Sequence, residues 1–88
     1  MMGFVYIFHG EGARFAAAVY STVEDAKADI ESNRLSGVLT AYPLDKTVYT
    51  HVVDEGLFKG KDHAEPRYIQ RFTSAALEHY HFEDGVLA

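Results

Sequence analysis

The chain has 88 residues, 48% hydrophobic, 14% aromatic and 24% charged, with a formal charge of −5 at pH 7. That length fits one domain spanning residues 1–88 and leaves no room for a second. The absence of cysteine excludes disulfide frameworks, thiol nucleophiles, iron–sulfur clusters and thiolate zinc sites.

Thirteen acidic residues outnumber eight basic ones, and the basic residues from Arg14 to Arg71 are scattered along the chain. Nucleic-acid affinity depends on a basic patch that neutralises phosphates, so no nucleic acid is expected as a partner. The apolar run at Phe4–Phe8 has no basic segment before it and no cleavage-like site after it, which reads as a strand and not a secretory signal. No stretch approaches the length needed to cross a bilayer. The expectation is a cytoplasmic protein that makes no membrane contact.

Residues 4–8 combine Val, Ile and three aromatics, with Phe4, Tyr6 and Phe8 on one face and Val5 and Ile7 on the other. A strand apolar on both sides is expected at the centre of a sheet, covered above and below. Gly10-Glu11-Gly12 suits a turn, and Arg14 to Tyr20 alternates, so residues 3–21 are expected to form a β-hairpin.

Ser21 with Glu24, or Thr22 with Asp25, has capping-box spacing, and the stripe Val23, Ala26 and Ile30 implies a helix running to about Arg34, with Gly37 closing the segment. Val38–Tyr42 reads as a third strand ended by Pro43. Asp45 is expected to cap a second helix whose apolar face is Val48, Tyr49, Val52 and Val53, with Gly56 and Leu57 forming a Schellman-type stop.

The polar residues 59–65 read as a loop. Pro66 suits the first turn of a third helix carrying Tyr68, Ile69 and Phe72. Residues 77–83 alternate with period two and read as a fourth strand, with helix continuation as the other reading. Asp84-Gly85 ends it, and Val86-Leu87-Ala88 is expected to fray. The order β-β-α-β-α-α-β defines an α+β domain with a mainly antiparallel sheet and helices on one face. A second copy or the final segment is expected over the other face.

The sharpest chemical feature is His79-x-His81. On a strand the two side chains share a face, about 6.5–7 Å apart at Cα, a spacing from which two imidazoles can reach one zinc ion. Zinc needs further ligands. Glu83 shares the face but lies far from His79, and His9 would serve only if the terminal strand paired with the first. No metal site is therefore assigned, and His79, His81 and His9 stand as candidates only.

His9-Gly10-Glu11-Gly12 lacks the Lys-Ser/Thr of a phosphate loop, and His9 with Glu11 as general base and orienter has no nucleophile specified. The candidate functional surface is thus His9, Glu11, His79, His81 and Glu83. Tyr42, Tyr80 and Phe82 with nearby histidines would form the pocket of a small-molecule binder.

Three segments, Phe4-Val5-Tyr6-Ile7-Phe8-His9-Gly10, Leu35 to Thr40 with Tyr42-Pro43-Leu44-Asp45, and Arg71 to Ala75 with Glu78-His79-Tyr80-His81, together resemble a family of small uncharacterised bacterial proteins with this layout. The resemblance covers about 80 residues and implies a bacterial cytoplasmic protein without an established activity. It also points to Glu78–Asp84 as a functional surface. The family pattern carries Trp near the position of His51. With no complete catalytic set, the leading reading is a protein-binding or regulatory module whose partner is an unknown protein or itself as a homodimer. A metal-dependent or histidine-based enzyme comes second, and a small-molecule binder third.

Overall fold

The computed structural model describes residues 3–60 and 64–88. The strands are β1 (Phe4–Gly10), β2 (Ala18–Tyr20), β3 (Gly37–Pro43), β4 (His79–Glu83) and β5 (Val86–Leu87), and the helices are α1 (Val23–Asn33), α2 (Val48–Asp54) and α3 (Pro66–Ile69). They build one antiparallel sheet in the order β2-β1-β3-β4-β5. The α+β class and the antiparallel sheet agree with the sequence reading.

β1 is central in the hydrogen-bonding sense, paired with β2 on one side and β3 on the other. Its faces differ in cover. Phe8, Leu39 and Phe82 lie on one face and pack with Ala26 and Ile30 of α1 into the main core. Ala41 is buried on the same face, where Phe4 meets His51 of α2 edge to face, with ring centroids 5.4 Å apart. Beyond them Tyr49, Phe58, Tyr68 and Phe72 form a second cluster of tilted rings with centroids 5.1–6.3 Å apart. On the other face Val5, Ile7, Val38, Thr40 and Tyr42 are only half-buried and Val19 is exposed. The expected cover on both sides of β1 is thus present on one side alone among the described residues.

The first hairpin forms, but its return strand is shorter than residues 14–20. Residues 11–17 make a loop, in which the Ala17 N–H still bonds the Phe8 carbonyl at 2.9 Å. Consecutive small residues at Ala16, Ala17 and Ala18 give a ladder little side-chain packing. Phe15 is 76% exposed and Val19 63%, so the inward face expected from the alternation does not materialise.

Helix α1 is capped by Thr22, whose side chain accepts from the Asp25 N–H at 3.0 Å. It ends where expected, at Arg34, which takes the left-handed conformation (φ 55°) and closes the last turn. Gly37 instead belongs to β3.

The expected cap at Asp45 is also corrected. Asp45 adopts φ 62° in the preceding turn, and Thr47 caps α2 by accepting from the Thr50 N–H at 3.0 Å. The stop after α2 is as expected, with the Leu57 N–H reaching the Val52 carbonyl at 2.8 Å. The expected loop at 59–65 includes residues 61–63, outside the described residues.

The C-terminal residues are not frayed. Val86–Leu87 pairs with β4, and the Ala88 N–H bonds the His81 carbonyl at 2.8 Å. The turn between β4 and β5 docks on the end of α1. There the Gly85 N–H donates to the Leu35 carbonyl at 2.8 Å, and a Cβ on Gly85 would sit 3.0 Å from Arg34 Cα. Among the described residues no helix is long and apolar enough to cross a membrane.

Candidate functional site

Side chains alternate between faces along a strand, so the pairing register sorts the sheet into rows. His9 is opposite Val38, which is opposite His81. In the next row Val19, Ile7, Thr40 and His79 are opposite one another in turn. Val5 and Tyr42 form a third row. All of these lie on the face away from α1, as does Glu83 opposite Val86. The histidine-bearing strand is therefore part of the uncovered face, and His9, His79, His81 and Glu83 are exposed.

The condition for His9 to join His79 and His81 is not met, since the terminal strand β4 pairs with β3 and not with β1. β3 lies between β1 and β4, so His9 and His81 are separated by two strand spacings, about 10 Å at Cα. His9, Glu11 and His81 do line one shallow groove at the end of the sheet, with Val38 as its floor and a volume of about 350 Å³.

His9 is not oriented by Glu11. Its Nε2 bonds the Ala13 carbonyl at 2.7 Å, and because a carbonyl only accepts, Nε2 carries the proton. The Glu11 N–H bonds the Ser36 carbonyl at 2.9 Å, while the Ser36 hydroxyl accepts from the Asp84 N–H at 2.9 Å. Ser36 thereby joins the two loops that flank the groove. No sequence signal distinguished it, since a single serine between Leu and Gly forms no motif.

His79 and His81 do come together. Their ring centroids are 5.3 Å apart with planes at 81°. His79 Nδ1 bonds the Leu77 carbonyl at 2.7 Å, so by the same argument Nδ1 carries the proton and Nε2 presents a free lone pair. Among the described residues no group of three or more His, Asp or Glu side chains could hold a metal ion.

Tyr80 is on the helix-covered face opposite Leu39. Its hydroxyl donates to Glu78, a bond that raises its pKa, with burial adding to the effect. Lys27 lies 5.6 Å from the centre of the same ring. The register puts Tyr42 on the open face and Tyr80 and Phe82 on the other, so the expected three-aromatic pocket does not assemble.

Fold and site together define a small two-layer α+β protein with helices on one side of its sheet and an open, histidine-bearing face on the other. The chain belongs to a family described as a domain of unknown function, DUF7710, whose family model matches residues 5–88. No curated protein and no solved structure gives a significant match.

Proposed function

We propose that the chain is a protein-binding module that works through the open face of its sheet, and that its partner is a second copy of itself. The observation that carries this is the face itself, in which Val5, Ile7, Val19, Val38 and Tyr42 form a contiguous apolar surface that no other described residues cover as a layer. Contiguous apolar patches of this kind on small proteins mark contact surfaces.

The net charge of −5 opposes self-association only weakly, because the patch residues are uncharged and the acids lie mostly elsewhere.

Light scattering coupled to size-exclusion chromatography tests the reading. Wild type runs as a dimer at micromolar concentration, and Ile7→Asp or Val38→Asp runs as a monomer with an unchanged far-UV spectrum. A wild-type monomer at every concentration refutes self-association.

A small-ligand reading is favoured by one observation, the groove between His9, Glu11 and His81. Its volume is near the lower end of the ~300–1,000 Å³ typical of ligand pockets, and ligand-dependent shifts in melting temperature that His9→Ala abolishes would support it.

A further inference from the structure

We infer that His79 and His81 are half of a divalent transition-metal site that closes when two copies meet through the open face. This inference rests on the self-association reading, but a different observation drives it, the geometry of the two imidazoles.

The His79 ring is already set as a metal ligand would be. Ligating histidines donate their second ring N–H to a carbonyl or carboxylate, which fixes the tautomer and aims the other nitrogen at the ion. His79 does this through Nδ1 and the Leu77 carbonyl, at 2.7 Å.

The spacing of the pair fits as well. With Zn–N bonds near 2.05 Å and a tetrahedral angle, two bound imidazoles have centroids about 5.2 Å apart. The two rings stand 5.3 Å apart.

Two ligands do not complete a site, and among the described residues one chain supplies no third. A two-fold axis supplies the missing pair without any new residue, because an isologous contact presents the same patch twice. Sheets that pack face to face lie about 10 Å apart, so an ion midway is about 5 Å from each sheet, within the reach of an imidazole. The closed site is then four neutral imidazoles, a donor set suited to zinc, copper or nickel and poorly suited to magnesium or calcium. Thr40 and Val38, directly across from the two histidines, are uncharged, and Glu83, next to His81 on the same face, adds a negative charge beside the ion. His9 remains outside the shell, two strands away and tied to the Ala13 carbonyl.

The test uses untagged protein, since a histidine tag would itself take the metal. Zinc chloride is titrated by calorimetry, and mass is followed by light scattering in zinc and in EDTA. The expected result is one zinc per two chains and a dimer that zinc tightens. His79→Gln and His81→Gln keep the fold by far-UV spectrum and melting. Each weakens zinc binding by at least about 100-fold, the upper end of what loss of an outer partner alone costs, and each removes the effect of zinc on mass.

A dimer that is equally tight in EDTA and in zinc, with no zinc bound, overturns the metal site and leaves self-association standing. One zinc per chain on a persistent monomer overturns the shared site. A monomer that binds no zinc under any condition overturns both readings.

Discussion

Thr22 and Thr47 hold the N-termini of α1 and α2 by the same device, a hydroxyl accepting from the N–H three residues on. Removing such a cap costs about 1 kcal/mol, so Thr22→Ala should lower stability to urea by that amount, while Ser21→Ala, one residue away, changes it by less than ~0.5 kcal/mol. Tyr20 donates to Asp29 Oδ2 at 2.7 Å. Burial, then the hydrogen bond and charge of Asp29, push its pKa up to about 12, from the ~10 of an ordinary tyrosine. The native state favours the neutral phenol. Its contribution to stability is therefore fully present below pH ~10 and is lost as pH rises through ~12. Asp29→Asn should bring one tyrosine back toward the ordinary range in a tyrosinate absorbance titration and flatten the stability change across that window. Gly37 (φ 154°) allows no side chain, since a Cβ there would lie 2.3 Å from the His9 carbonyl oxygen. Gly37→Ala should cost the upper end of the ~1–3 kcal/mol seen for overpacking, or more, read as a lowered denaturation midpoint.

At the scale of elements, Ile30 and Ala26 of α1 are fully buried against Phe8 and Leu39, which makes this helix the main closure of the core. Ile30→Ala should cost about 2–5 kcal/mol in a denaturant melt, whereas removal of residues 86–88 should act locally. Without β5 the amides of β4 should exchange faster with solvent, while those of β1, paired on both sides, keep their protection. What the residues disclosed in advance were the elements with strong local signals. The Thr22/Asp25 spacing and the Gly56-Leu57 stop each describe a hydrogen-bond pattern that neighbours in the chain satisfy, and the alternation from His79 to Glu83 describes the two faces of a strand without naming its partner. Strand order was not legible, because whether β4 lies beside β1 or β3 depends on contacts between residues far apart in the chain. Asp45 misled for a related reason, since Asp serves equally well as a helix cap and as a left-handed turn residue, and Thr47, two residues on, took the cap. Of the site, His79 and His81 were visible as a pair from their spacing alone. The Leu77 carbonyl that fixes one of them was not, because a backbone acceptor leaves no mark in a sequence.

On the scale of the whole molecule, the radius of gyration is 14.3 Å, against about 12 Å for a compact domain of this length. The extra extent comes with two hydrophobic clusters in place of one, the α1 core and the ring cluster around Tyr49. The α1 core backs one side of the sheet, and the opposite side keeps Val5, Ile7 and Val38 half-exposed. A double substitution, Ile7→Asp with Thr40→Asp, should abolish self-association more completely than either alone, because the two residues are directly opposite each other in one row. Sedimentation velocity across a concentration series reads that difference.

The outermost strands are three and two residues long, and this has a consequence for growth. A sheet propagates into fibres when a long unpaired edge templates the next chain. Here the free edges offer too few amides to nucleate such an addition. The self-association proposed above would thereby be restricted to the broad side of the sheet, and a contact of that kind, made symmetrically, would be exhausted once two chains had met.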